Sequence, residues 1–477
     1  MKNILFAASE CSPFVKTGGL ADVVCALPKA LVEHHRIQAQ VILPLYDEID
    51  EEWKEEMEFV TEFIVPLGWR VQMAELYHCI VDEIDYYFIH QPYYFHRKGV
   101  YGYYDDGERF VFFSRAIIEA LPYLQAQPDL LHAHDWQAAL SIALAKILLP
   151  EHPMKTILTI HNLKFQGKFP IEVYDDFLNL GSEHMSGMEW DGHINCLKAG
   201  IFHADQVTTV SPTYAEEIKN EYYGEGLDSL LRERQVMGII NGIDVKQYNP
   251  LQDPYIDVTY RSSRTRKVQN KLLLQEYFGF EVDENIPLYI IISRLDEQKG
   301  LHLLQPILND FLQEKVQLIC LGTGEKEFEN FFRSTASEYR EKMIACIGFD
   351  EQLSRKLYAA ADFLIMPSRF EPCGLAQFIA LQYKTVPIVR ETGGLKDSIE
   401  PFNLHTKQGN GFSFKNYNAH DLLYTLKYSL SIFHDEENWS IISKNINRFH
   451  FTWKTSAAEY DELYKQLCTE KELAEVY

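Results

Sequence analysis

Two series of short apolar runs, rich in β-branched residues and separated by stretches long enough for a helix, constrain this chain more than any other feature. In the first half they fall at residues 4–8, 41–45, 130–134, 157–161, 207–210 and 238–240. In the second they fall at 288–293, 316–321, 343–347, 363–366, 386–389 and 411–414. A strand that is apolar on both sides is buried on both faces, as in a parallel sheet covered by helices. Each series therefore predicts a doubly wound, Rossmann-like α/β sheet. Residues 63–90 break the pattern: polar and apolar positions partly alternate around Gly68-Trp69-Arg70, which predicts an antiparallel excursion.

A chain of 477 residues exceeds what one core supports. The turn-forming Asn241-Gly242-Ile243-Asp244, followed by Asn249-Pro250, marks the division. The expected organisation is an N-terminal domain over 1–242, a C-terminal domain over 243–455 and a terminal helix over 456–477 packing back on the N-terminal domain. Ala457, Tyr460, Leu463, Tyr464 and Leu467 form the apolar face of that helix, after a Thr455-Ser456 cap. A net charge of −24 opposes binding to nucleic acid or an anionic membrane surface and leaves a neutral polymer acceptable. Eight scattered cysteines without a CxxC pair fit reduced thiols. No run has the length of a signal or membrane segment, and the expected location is the cytoplasm.

Four places carry candidate chemistry. Lys16-Thr17-Gly18-Gly19-Leu20 follows the first strand and opens a helix, where glycines let backbone N–H groups approach a phosphate; from a lone Gly-Gly pair, a tight turn with a solvated lysine is the commoner reading. Arg294 and Lys299 lie just past the strand at 288–293, placed to offset negative charge on a departing diphosphate or to pair with Asp296 and Glu297. In Pro367-Ser368-Arg369-Phe370-Glu371-Pro372-Cys373-Gly374-Leu375, Pro372 suits the first turn of a helix running to Tyr383. The amides of Cys373, Gly374 and Leu375 would then face ligand oxygens, with Glu371 gripping sugar hydroxyls or capping the helix. His132-Ala133-His134-Asp135-Trp136 and Thr159-Ile160-His161-Asn162 close neighbouring strands; the residues allow a metal reading or hydrogen-bonded structural histidines, and no further ligand spacing supports a metal. Of the aromatics between Tyr86 and Phe110, core packing explains most, and the turn carrying Tyr101 is set aside for a glucan acceptor. TGGLxD occurs twice, at Thr17 to Asp22 and Thr392 to Asp397, through duplication of a half or a shared local requirement.

Taken in order, these motifs with Asn241-Gly242-Ile243-Asp244 and Thr392-Gly393-Gly394-Leu395 resemble those of the bacterial glycogen synthases and plant starch synthases across nearly the whole chain. The resemblance implies the GT-B fold, in which two Rossmann-like domains face each other across a deep cleft that closes on its substrates. It also implies retaining transfer of glucose from ADP-glucose to the nonreducing end of an α-1,4-glucan such as glycogen, with no metal or other cofactor. By position, Glu371, Arg294, Lys299, His161 and Asp22 are the implied catalytic residues. Lys16, Gly18, Gly19, Asp135, Asn162, Asn241, Phe349, Cys373, Gly374, Leu375, Thr392, Gly393 and Gly394 are the implied donor-binding residues, and Tyr101 the acceptor-binding one. Phe349 stands where some members carry a tyrosine that stacks on the base, so stacking is kept without the hydroxyl. No side chain need attack: the acceptor hydroxyl enters on the face the diphosphate leaves, and a phosphate oxygen takes its proton.

Overall fold

The structure is a computed structural model that describes residues 2–474 and the side chains of 2–469. The first residue and the end of the terminal segment 456–477 lie outside the described residues. The chain divides into two compact units, Met1–Asn241 with Trp453–Tyr477, and Gly242–Thr452.

The first unit contains β1 (Lys2–Ala7), β2 (Ile37–Pro44), β3 (Glu58–Leu67), β4 (Arg70–Val81), β5 (Ile84–His90), β6 (Leu130–His134), β7 (Lys155–Ile160), β8 (Lys168–Pro170), β9 (Glu189–Trp190), β10 (His193–Asn195), β11 (Gln206–Thr209) and β12 (Val236–Gly238). Nine of these make one sheet in the order β12-β11-β7-β6-β1-β2-β5-β4-β3, and β8, β10 and β9 a small separate one. The main sheet is parallel except that β4 runs antiparallel to both β3 and β5. That is the excursion expected at residues 63–90: the inward positions Phe63, Val65 and Leu67 are buried, while Ile64, Val71 and Met73 face outward on the pleat. The terminal helix Trp453–Ala474 packs on the helix Gly19–His35 and buries Ala457, Tyr460, Leu463, Tyr464 and Leu467. Ser456 Oγ donates to the Ile240 carbonyl at 2.6 Å and Lys2 Nζ to that of Tyr464 at 3.0 Å, so the terminal helix is tied to β1 and to the segment just past β12.

The second unit contains β13 (Leu288–Ile292), β14 (Gln317–Gly322), β15 (Met343–Ile347), β16 (Phe363–Met366), β17 (Val386–Arg390) and β18 (Phe412–Phe414). They form one all-parallel sheet in the order β15-β14-β13-β16-β17-β18. The first TGGLxD follows β1, at the centre of its sheet, and the second follows β17, next to an edge. Non-equivalent places in two sheets do not arise from duplication of a half; the shared letters are a local recurrence. Among the described residues, no helix is long and apolar enough to cross a membrane.

Candidate active site

A doubly wound sheet opens a crevice at the carboxyl ends of its strands, where the strand order reverses. In the first unit the reversal lies between β1 and β6, and in the second between β13 and β16. Most candidate residues lie on the loops after β1, β6, β7, β13 and β16, at or beside these two places, whereas Asn241, Phe349 and Thr392 to Gly394 follow β12, β15 and β17.

In the first unit the chain leaves β1 into Ser9 and Glu10. Glu10, only 3% exposed, was not anticipated from the sequence. Its Oε2 accepts from the amides of Thr17 (2.5 Å) and Gly18 (3.1 Å), and both its oxygens accept from the Thr17 hydroxyl at 3.0 Å. An internal carboxylate thus holds half of the loop expected to cradle a phosphate, and the Gly18 amide is already committed to it. What remains is the start of the helix Gly19–His35, which lacks a side-chain cap and whose first-turn N–H groups have no intrahelical acceptor. Around Gly18 the space is open: an added Cβ would meet nothing within 4 Å. Lys16, beside it, pairs with Asp22 at 2.7 Å, so Asp22 serves to orient Lys16. Tyr101 joins the same cluster, its hydroxyl 3.1 Å from Glu10 Oε1 and 2.7 Å from Ser9 Oγ.

β6 delivers Asp135 and β7 delivers His161 and Asn162. Asp135 sits in the left-handed region at φ +55, a conformation that most residues avoid and that concentrates at functional sites. Its Oδ1 accepts from the His161 amide at 2.7 Å. Burial pushes its carboxyl up to about 7, opposed by the amides of His161 and Asn162 and reinforced by the negative Glu10 nearby. Burial likewise pushes the His161 imidazole down to about 3, keeping it neutral. The Asn162 side chain accepts from the Lys164 amide at 3.1 Å and closes its own turn. Asn241, 5% exposed, keeps a buried Oδ1 with no hydrogen-bond partner among the described residues, an unfilled acceptor site of the kind a bound hydroxyl satisfies.

In the second unit, Asp296 Oδ1 accepts from the Lys299 amide at 3.2 Å and starts a single 3-10 turn that ends at Gly300, φ +66. A Cβ there would lie 2.0 Å from the Pro367 carbonyl oxygen, so only glycine lets the loop after β13 pack on the loop after β16. The packed loops bring Lys299 Nζ to both oxygens of Glu371, at 3.0 and 2.7 Å, and Ser368 Oγ adds a bond at 3.0 Å. Glu371 is therefore a partner of Lys299 and not a helix cap. Arg294 remains 62% exposed, 3.5 Å from Asp296.

The helix after Glu371 starts later than the sequence suggested, at Ala376, and ends at Gln382. Gly374 takes φ +75, which delays it, so Pro372 lies outside the first turn and Cys373 and Gly374 belong to an irregular loop, with Leu375 at the cap position. The second glycine pair packs against the protein's own backbone. The Gly394 amide donates to the carbonyls of Glu371 (3.1 Å) and Pro372 (3.2 Å). Added Cβ atoms on Gly393 and Gly394 would lie 2.0 Å from the Glu371 oxygen and 2.2 Å from the Cys373 oxygen. Thr392, Gly393 and Gly394 are all buried and seat the 371–375 loop. Phe349, just past β15, is 89% exposed, and its ring is open to stacking. Among the described residues, no group of three or more His, Cys, Asp or Glu side chains is placed to hold a metal ion.

Residues 3–233 match the family model for the starch synthase catalytic domain, and residues 276–448 that for glycosyl transferases group 1. The chain is 58% identical to a glycogen synthase of Oceanobacillus iheyensis over 98% of each chain. It is 47% identical to that of Bacillus subtilis over 97% of this chain and 98% of the other. Among solved structures it resembles the catalytic domain of starch synthase IV from Arabidopsis thaliana, bound to ADP and acarbose, with a TM-score of 0.89 and 30% identity over 98% of this chain and 99% of that one. With two doubly wound sheets and identity this high along the whole length, the chain belongs to the glycogen synthase family of GT-B glycosyltransferases.

Proposed function

We propose that this enzyme moves glucose from ADP-glucose to the nonreducing end of an α-1,4-glucan, with retention at the anomeric carbon and without a metal or cofactor, in the cytoplasm. One observation carries the reading: the exposed Arg294 and the Lys299–Glu371 pair occupy the strand reversal of the second sheet, where a ligand crevice opens. Breaking the bond between glucose and diphosphate builds negative charge on the leaving phosphate. Arg294 offers a planar fork for two of its oxygens and Lys299 a compact charge. Glu371 holds Lys299 in place and takes hydroxyls of the donor sugar. The exposed Phe349 ring stacks on the base.

In the first unit, Lys16 and the start of the helix Gly19–His35 are suited to phosphate oxygens, and Asp135, His161 and the Asn241 oxygen to the hydroxyls of a bound donor sugar. Tyr101, tied through Glu10 to the loop that carries Lys16, contacts the acceptor. Acceptor attack comes on the face the diphosphate leaves, with a phosphate oxygen taking the proton. ADP, acarbose and the name of the Arabidopsis relative are consistent with this donor and acceptor.

The test is incubation of the purified protein with ADP-glucose or UDP-glucose, with and without glycogen, in buffer containing EDTA. The expected result is glycogen-dependent release of ADP and growth of the glucan from ADP-glucose. Turnover with UDP-glucose alone, or release of diphosphate without a longer glucan, contradicts the proposal.

A further inference from the structure

His134 lies on β6 and is fully buried, two residues from His132 on the same face of the strand. Its ring stacks on that of His132, centroids 4.3 Å apart, and on Phe6 at 6.1 Å. His132 has protein partners on both nitrogens, Tyr464 Oη at 2.8 Å and Thr159 Oγ1 at 2.6 Å. Among the described residues His134 has one: its Nδ1 lies 2.9 Å from Nε2 of His161, while its own Nε2 is buried with no partner.

Two neutral imidazoles sharing one hydrogen bond have two arrangements. If His161 donated from Nε2, His134 would have to carry its proton on its own Nε2, leaving a buried N–H without an acceptor. If His134 donates from Nδ1, its Nε2 is a bare lone pair. A buried orphan N–H is rarer in proteins than an unsatisfied acceptor and loses the desolvation free energy of a strong donor. The second arrangement prevails, and it leaves only Nδ1 of His161 to bear that ring's proton.

We propose that His134 is a positioning residue that fixes His161 as the Nδ1–H tautomer, so that His161 meets the bound sugar as a hydrogen-bond donor to an oxygen and not as a base. The proposal rests on the reading above that His161 lines the donor site. It assigns His134 a task that its buried place in a strand conceals.

The experiment combines nitrogen-15 NMR of histidine-labelled full-length protein, with His161 assigned by its absence in His161→Asn, and kinetics of two variants. In the wild type the expected long-range proton–nitrogen pattern of His161 is that of a ring protonated at Nδ1. His134→Asn, whose side-chain amide can donate from about the place of Nδ1, should keep kcat/KM within about threefold. His134→Leu should lose roughly 10- to 100-fold, as when a supporting partner of a site residue is removed. A His161 ring protonated at Nε2 in the wild type overturns the proposal, as does an equal loss in both variants, which a packing role alone would give. If His134→Leu does not fold, the wild-type spectrum decides. Failure of wild-type transfer from ADP-glucose would count against the proposed function and leave the tautomer measurement standing.

Discussion

The two TGGLxD segments carry the same residues at five of six positions and use their glycines for opposite purposes. At the first, Gly18 faces open space and its neighbour Lys16 is 44% exposed, so the loop is available to a ligand. At the second, Gly393 and Gly394 are buried under the backbone of residues 371–373, where any side chain would collide with a carbonyl. At the first segment Gly18 leaves open space, and at the second the glycine pair makes room for the protein's own loop. A motif is therefore interpretable only with the strand that delivers it: β1 leads to the strand reversal, and β17 to a neighbour of the loop that carries Glu371.

The sharpest way to break this contrast is to cut the pair that the second segment supports. Lys299→Ala should lower kcat by roughly 100- to 1000-fold. Because it leaves Glu371 buried without its cation, it should also reduce stability by about 3 kcal/mol or more. Combining it with Glu371→Gln should recover the melting temperature and not the turnover. A fully active Lys299→Ala would remove the assigned role.

Substituting the glycines themselves sharpens the comparison. Gly394→Ala drives a methyl into the Cys373 backbone, with an expected loss of about 1–3 kcal/mol in thermal or denaturant unfolding and reduced turnover as the 371–375 loop shifts. Gly18→Ala has open space and an extended φ of −156, so its stability should stay within about 0.5 kcal/mol, with any defect confined to KM for the donor. Similar melting temperatures for the two variants would erase the distinction.

A smaller effect is expected from Asp135→Asn. With its folded value near 7 against an ordinary 3.8, the Asp135 carboxyl binds its proton more tightly in the folded state than in the unfolded one. Its ionisation therefore destabilises the fold progressively from about pH 4 to 7, and fully above. The variant should melt at the same temperature as wild type near pH 4 and higher at pH 8. It should also lose the inflection near pH 7 in the rate of transfer. His161 cannot supply that inflection, since its ring is held down to about 3. An unchanged profile in Asp135→Asn contradicts this assignment.

Much of the fold was legible because a strand buried on both faces leaves a continuous apolar run, and β1, β6, β13 and β16 all read that way. The loops at their carboxyl ends were legible as places. Their internal bonding was not. Glu10, an acid six residues before a lysine, reads as solvated until β1 is seen to deliver it under the Thr17 and Gly18 amides; its position just past a strand was the only signal. The helix after Glu371 was placed too early because Pro372 suits a first turn, whereas the left-handed Gly374 keeps the chain irregular for three more residues. Two strand ends that could bring His134 or Asp135 to His161 were legible and both contacts form, but which ring nitrogens meet was not.

The central claim is that positive charge at the second unit's strand reversal carries the departing diphosphate, and Arg294 tests it most directly because it is exposed and makes little contribution to the fold. Glucose transfer from ADP-glucose to glycogen should be timed for wild type and Arg294→Ala side by side with their melting curves. The expected outcome is a kcat lower by about 100-fold with an unchanged melting temperature. Equal turnover in the two proteins would contradict the account.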